Sequence, residues 1–431
     1  MKLTRIIAGA AASVMLAAML TACGGDSADT PKETEAAAAA ETTAPAEPVV
    51  HAPPTSAAAP TEPVDISAGV TDAMYERALL NEGGLERLAA AMRKAQKGEP
   101  VTVGVIGGSI TQGSLASNQS LCYGSLFFQW WQEKFPDCQI NTVNAGIGGT
   151  NSYLGVNRVD EQLLSYDPDV VIVEFSVNDT DKVMNKYSYD SLVRKILSHE
   201  TNPAVMLLFT TQEDGTSLQE THKEIGTAYD LPMLSYREIV YPEVKAGTLD
   251  WKEISPDNIH PNDVGHGFIG QMLSRYLDEV YDKLDTISEE VAAFDAKAYT
   301  SDYYKNAKMY FPSTLQVTME GFAAGSNKVY PDKFPENWVA EAGGTMSFET
   351  ECQTLGIFYL KTTDGKGGEY EVYVDGERKA TINSDFTGGW GNYGETKPVF
   401  IDMETAKHSV EIKPAAGSED KAMTILGVML S

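Results

Sequence analysis

The chain has 431 residues, 42% hydrophobic and 22% charged, which suits a globular protein too long for one ordinary core. Its formal charge of -28 repels nucleic acid and anionic lipid headgroups, so DNA, RNA and polybasic membrane binding are excluded as partner classes. The acidity reads as a solvated surface, because no clustered ligand pattern marks a dedicated cation or metal site.

The first residues read as a targeting segment. Lys2 and Arg5 precede an apolar run over residues 6–19. That run is too short for a comfortable transmembrane helix, which needs ~20 apolar residues. Leu20-Thr21-Ala22-Cys23 follows and resembles the lipobox of bacterial lipoproteins. The resemblance implies cleavage before Cys23 and a diacylglycerol on its thiol. Residues 1–23 are therefore expected to be a lipoprotein signal peptide. Lipidation of Cys23 would make the product an exported, cell-surface lipoprotein anchored to the bacterial cytoplasmic membrane. An ordinary secretory signal with an incidental Cys would lead to export as well. The remaining cysteines, Cys122, Cys138 and Cys352, allow one intramolecular disulfide at most, and no Cys-x-x-Cys or Cys/His cluster has zinc spacing.

Residues 24–67 are dominated by Ala, Thr, Pro, Glu and Asp, with no Phe, Tyr or Trp. Such a stretch buries too little apolar surface to offset its ordering entropy, and it reads as a disordered tether. As a flexible coil it spans on the order of 40 Å.

From residue 68 to about 290 strands and helices alternate. Residues 71–96 have helical spacing, broken at Gly83-Gly84. Residues 101–106 form a short apolar run expected as a buried strand. Residues 121–135 are helical, 139–144 a strand and 151–165 a helix. Asp169-Val-Val-Ile-Val-Glu-Phe175 is a near-continuous apolar run, as in a parallel sheet covered on both faces. Helices over 188–199, 218–229 and 262–284 alternate with strands over 204–211 and 232–236. This order predicts an α/β layered domain with a parallel sheet.

After about residue 288 the pattern becomes short strands, over 317–320, 345–351, 356–362, 370–374, 378–383, 408–413 and 423–430. Asp375-Gly376 between two of them signals a two-residue hairpin. These features predict a β-sandwich over residues 305–431, with the boundary near 286–310.

Ser109 follows the first strand, in Gly107-Gly108-Ser109-Ile110-Thr111. Small residues there let the chain turn and leave a hydroxyl at the carboxyl end of a strand, where open α/β sheets bind ligands. No Gly-Lys-Ser/Thr makes it a P-loop, and Gly146-Ile147-Gly148-Gly149-Thr150-Asn151 misses the last Gly of a dinucleotide fingerprint. A serine hydroxyl needs a base. Of six histidines, His51 lies in the tether, His408 in the β-rich region, and His199 and His222 on expected helix surfaces. His260 stands in Asp257-Asn258-Ile259-His260-Pro261-Asn262, where the Asp can fix the ring's tautomer and leave its other nitrogen free. His266 competes, but its place within a helix favours a structural bond. Gly149 in a Gly-rich loop and Asn178 in Val177-Asn178-Asp179 are candidate donors to an oxyanion.

Gly-Gly-Ser after the first strand, Asn-Ala-Gly-Ile-Gly-Gly after the second, Val-Asn-Asp after the third and Asp-x-x-His-Pro-Asn near the end resemble the four blocks of the SGNH, or GDSL, hydrolases. The resemblance covers roughly residues 70–285. It implies a flavodoxin-like parallel sheet sandwiched by helices. It makes Ser109 the nucleophile, with Asp257 and His260 completing the triad, and Ser109, Gly149 and Asn178 the oxyanion hole, without cofactor or metal. Gly108 departs from the motif, which has Asp there, and Thr150 stands where many members have Asp.

The layout of exported lipoprotein, hydrolase domain and jelly-roll-like C-terminal domain is similar to bacterial carbohydrate esterases. It implies removal of acyl groups, acetyl above all, from an acylated polysaccharide or oligosaccharide. The alternatives are another ester class (peptidoglycan O-acetyl, lipid or aryl ester) and a non-catalytic carbohydrate-binding surface lipoprotein. Trp390 and Tyr393, in a Gly-rich loop, either stack on sugar or anchor the sandwich.

Overall fold

The structure, a computed structural model, describes residues 62–401 and 404–431. The expected signal peptide, Cys23 and the tether as far as residue 61 lie outside the described residues.

The apolar runs of the first half assemble into a six-stranded sheet. Its strands are β1 (Leu79–Asn81), β2 (Val101–Gly107), β3 (Ile140–Gly146), β4 (Val170–Glu174), β5 (Ala204–Phe209) and β6 (Met233–Ser235), in the order β1-β6-β5-β4-β2-β3. Every pairing is parallel except that of β1 with β6. Strands β2, β4 and β5 are buried along their whole length, which is why they read as unbroken apolar runs rather than alternating ones. Helices cover both faces: α1 (Asp72–Ala78), α2 (Glu86–Gln96), α3 (Ser109–Gln112), α4 (Tyr123–Lys134), α5 (Ser152–Gln162), α6 (Val183–Leu197), α7 (Gln219–Ala228), α8 (Tyr236–Ala246), α9 (Trp251–Ile254) and α10 (Asp263–Asp282).

Several local readings change, and α9 and the strands Lys308–Tyr310 and Tyr393–Phe400 are elements the patterns did not mark. Residues 79–81, expected as helix, form β1, because the edge of β6 supplies pairing partners at Met233 and Leu234. Helix α6 starts at Val183, ahead of the expected 188. Helix α8 lies where the sequence carried no reading; it contains Pro242, and Ser235 caps it by accepting from the Glu238 N–H at 3.2 Å.

In the second half the named strands all pair antiparallel. Its strands are β7 (Lys308–Tyr310), β8 (Thr318–Ser326), β9 (Glu336–Cys352), β10 (Leu355–Lys361), β11 (Glu369–Val374), β12 (Glu377–Asn383), β13 (Tyr393–Phe400), β14 (Ala406–Pro414) and β15 (Met423–Leu430). Strand β9 turns a corner at Gly343 and Gly344, with φ of +76° and +153°. Ahead of the corner Ala340 pairs with Met423 of β15, and beyond it Met346 pairs with Ile412 of β14. One strand thus serves both layers of a sandwich-like module, whose core includes Trp338, Phe348, Tyr370 and Ile425. Asp375 and Gly376 both have positive φ, 53° and 79°, as the hairpin signal requires.

The two modules share apolar surface. One core cluster fills the sheet face under α2, α4 and α10. The cluster on the other face includes Tyr153 and Leu192, and continues into Phe358, Leu426 and Met429 of the β-rich module. The connecting segment is bonded down: the Thr300 N–H and hydroxyl donate to Asp190 at 2.8 and 2.6 Å, and Lys195 donates to the Ala307 carbonyl at 2.8 Å. Cys122, Cys138 and Cys352 are all free thiols.

Candidate active site

Strand β2 ends at Gly107, and Ser109 opens the single turn of α3, which Gly113 closes at φ +95°. Space dictates the glycines before the serine. A Cβ at Gly107 would lie 2.1 Å from Thr111 Oγ1, and one at Gly108 would lie 2.1 Å from Asn178 Oδ1. The departure from the motif at Gly108 is thus the place where the Asn178 amide packs directly on the turn.

His260 comes from the segment between α9 and α10. That segment is held by its own polar groups: Trp251 Nε1 donates to the Asp257 carbonyl at 2.6 Å, and Ser255 Oγ lies 2.7 Å from the His260 carbonyl. Asp257 Oδ1 accepts the Ile259 and His260 N–H groups at 2.8 and 2.7 Å. Its Oδ2 meets His260 Nδ1 at 2.8 Å, and His260 Nε2 lies 2.8 Å from Ser109 Oγ. Hydroxyl, imidazole and carboxylate therefore form one unbroken chain across 151 residues of sequence. Burial pushes the Asp257 carboxyl up, but the bonds from the His260 ring and from the two N–H groups outweigh it and leave its pKa below the usual value. A carboxylate at Nδ1 selects the tautomer with the proton there, which leaves Nε2 as an acceptor for the serine proton.

Gly149 lies exposed at the tip of the loop after β3, in the left-handed region at φ +73°. The Gly148 N–H donates to Gln112 Oε1 at 2.6 Å, tying this loop to the turn of Ser109. Thr150 Oγ1 donates to the Ile147 carbonyl at 2.7 Å, so the second departure from the family pattern closes the loop on itself. Asn178 stands after β4, where the N–H groups of Asn178 and Asp179 both reach the Phe175 carbonyl, at 3.0 and 2.9 Å. Ser109, Asp257, His260, Gly149 and Asn178 thus meet at the carboxyl ends of β2, β3 and β4, the edge where this class of sheet places ligands.

Three buried groups around this edge were missed by reading the sequence. Arg158 of α5 donates to the carbonyls of Ala145 and Gly107 at 2.7 and 3.2 Å, clamping the ends of β3 and β2 together. Full burial lowers its pKa to about 9. Glu174, at the end of β4, accepts from Thr210 Oγ1 at 2.7 Å and Thr111 Oγ1 at 3.3 Å; burial raises its pKa to about 7 against those bonds. Their signal was a lone charge in an apolar stripe or run. The third group is a correction: His222 is fully buried, not on a helix surface, because α7 turns it inward to Asp179, Nε2 to Oδ2 at 3.0 Å. His199 is partly buried against Thr201 and His408 is bonded to Asp375, both away from this edge. His266 is buried between the Tyr123 N–H and the Ser114 carbonyl, and that burial lowers its pKa.

The β-rich module also reaches this edge. Trp390 is 73% exposed, so it does not anchor the sandwich. Its ring stacks on Tyr393 with centroids 4.9 Å apart. A Cβ at Gly149 would lie 3.7 Å from Tyr393 and 3.9 Å from Trp390, in ordinary contact with both rings. Beside them a cleft of about 500 Å³ runs between the modules, lined by Thr150, Lys182, Tyr393 and Glu395.

Residues 105–268 match the model of the GDSL-like lipase/acylhydrolase family. Over 83% of its length the chain is similar, with 33% identity and a TM-score of 0.78, to a two-domain esterase (CEX) active on acetylated mannans, of which it covers 98%. A structure of such an esterase co-crystallized with mannopentaose is matched with 33% identity and a TM-score of 0.76, over 83% of this chain and 97% of that one. Thioesterase 1/protease 1/lysophospholipase L1 of Escherichia coli (strain K12) is 25% identical over 185 residues, which are 41% of this chain and 83% of that protein.

Proposed function

Because the chain belongs to the GDSL-like lipase/acylhydrolase family and is a carboxylic ester hydrolase, we propose that it removes acetyl groups from an acetylated polysaccharide. In this reading Ser109 is the nucleophile, His260 the base and Asp257 the group that orients the ring. Ser109 Oγ attacks the acetyl carbonyl while His260 Nε2, 2.8 Å away, takes its proton. The Ser109 N–H, the Gly149 N–H and the Asn178 amide receive the oxyanion. His260 then protonates the departing sugar oxygen, and water releases acetate from Ser109 by the same route.

The observation that carries the carbohydrate reading is the stacked Trp390–Tyr393 pair against Gly149. An exposed aromatic face beside an oxyanion donor suits an alcohol whose ring presents an apolar C–H face between polar hydroxyls, as a sugar does. The 33% identity to an esterase active on acetylated mannans, across both modules, makes acetylated mannan the first polymer to test. We also propose that lipidated Cys23 holds the enzyme at the cell surface through the segment that follows it, which ends where the Val64 N–H donates to the Thr248 carbonyl at 2.8 Å; Leu20-Thr-Ala-Cys23 supports this reading.

The test is acetate release from acetylated mannan, xylan and peptidoglycan, with Ser109→Ala as control. Trp390→Ala should raise KM for the preferred polymer about tenfold, the scale of one lost ring contact, and leave 4-nitrophenyl acetate hydrolysis unchanged. Faster turnover of octanoyl than acetyl esters would favour a lipid substrate. An absence of both acetate release and fluorophosphonate labelling of Ser109 would leave a binding protein.

A further inference from the structure

Gly149 and Asn178 reach the site from different strands, and one carboxylate joins the segments that carry them. Asp179, next to Asn178 in the chain, is 7% exposed. Its Oδ1 accepts the Ser152 N–H at 2.8 Å and the Asn185 side-chain amide at 3.2 Å. Ser152 is the first residue of α5, at the end of the loop that starts with Gly149. Asp179 Oδ2 meets His222 Nε2 at 3.0 Å, and because a carboxylate is only an acceptor the ring presents Nε2–H to it. His222 cannot swing away: Tyr189 covers its face, with centroids 3.6 Å apart and planes at 4°.

The Asn178 side chain depends on this anchor. Its Oδ1 is buried and has no hydrogen-bond partner among the described residues. Without a hydrogen bond to that oxygen, the amide is placed by its packing on Gly108 and by its backbone, which is held at the Phe175 carbonyl and at Asp179.

We infer that Asp179, backed by His222, is a positioning residue that sets the spacing between the Gly149 N–H and the Asn178 amide. The inference rests on the oxyanion roles proposed above. Asp179 touches no reacting atom, so its loss should act on the transition state and leave substrate binding alone.

The experiment measures steady-state hydrolysis of 4-nitrophenyl acetate by the full chain and its variants. Asp179→Ala should lower kcat roughly 10- to 100-fold with KM within about threefold, below the ~10²–10³ typical of deleting an oxyanion donor outright. Asp179→Asn, which still offers Oδ1 to Ser152, should recover most of that loss. His222→Phe, which keeps a ring for Tyr189 and removes the donor, should lower kcat in the same direction, and it carries the comparison if Asp179→Ala does not fold. In an Asn178→Ala background the further loss from either change should shrink several-fold, because one of the positioned donors is already gone. A folded Asp179→Ala enzyme with kcat within twofold of wild type, or losses that multiply fully with Asn178→Ala, would overturn the inference. If Asn178→Ala itself has no effect, the oxyanion assignment fails first, and that result is separate from the behaviour of Asp179.

Discussion

Replacing Asp257 with Asn tests the tautomer on which the proposed chemistry depends. Asp257 Oδ1 is taken by the Ile259 and His260 N–H groups at 2.8 and 2.7 Å, while Oδ2 faces His260 Nδ1 at 2.8 Å. An asparagine here must keep its oxygen on the two backbone donors, since turning the amide over would set its NH2 against both. Its NH2 then donates to Nδ1, and the ring proton moves to Nε2, facing Ser109 Oγ. A ring in that state cannot accept the serine proton. Restoring the productive tautomer gives up one hydrogen bond and opposes two donors, about 2–3 kcal/mol. The imidazolium formed during attack also loses its carboxylate, about another 1.5–2 kcal/mol, kept small because the Asp257 side chain is 41% exposed. Together these amount to a fall in kcat of about 10³-fold. The two backbone bonds survive, so the turn and the thermal midpoint should change little. The assay is hydrolysis of 4-nitrophenyl acetate, with circular dichroism to check the fold. A folded Asp257→Asn enzyme retaining more than a tenth of wild-type kcat would refute the reasoning.

Asn178→Ala should lower kcat by ~10²–10³ without loss of fold, and wild-type rates on a small acetate ester would remove Asn178 from the oxyanion hole. Glu174 makes stability pH-dependent: the unfolded carboxyl ionises near 4.5 and the folded one near 7, so the folded state holds the extra proton between them. Stability should therefore fall as pH rises from about 4.5 to 7, by at most about 3 kcal/mol. Glu174→Gln should flatten that slope, as read by urea unfolding at pH 5 and pH 8, and an unchanged slope would show that Glu174 is not its source. Arg158→Met should cost about 1–3 kcal/mol, chiefly through the Ala145 carbonyl, because the Gly107 carbonyl also accepts the Ile147 N–H at 3.1 Å; denaturant titration measures it, and a loss under about 0.5 kcal/mol would mean that the Ala145 carbonyl does not depend on Arg158.

Much of the site was legible because its parts are local. Gly107-Gly108-Ser109 marks a turn after a strand, and Asp257 and His260 are three residues apart in one turn, so their bond is a property of neighbouring residues. Apolar runs such as Val170–Glu174 declare buried strands by composition alone. Residues 79–81 carry helical spacing, and β1 exists only through its partner β6; residues 237–246 carry no reading in the sequence, and α8 accommodates Pro242 within it.

The α/β order and the β-rich second half follow from patterns along the chain, and so does the nearness of Asp257 to His260. What holds the candidate site residues in place comes from contacts distant in the chain. His222 and Asp179 are 43 residues apart in the chain, Arg158 and Gly107 are 51 apart, and Trp390 approaches Gly149 from the other module. Propensity and periodicity report on a residue's neighbours along the chain. A buried polar group is stabilised by whichever donors and acceptors folding brings to it, and those lie beyond the reach of any local pattern.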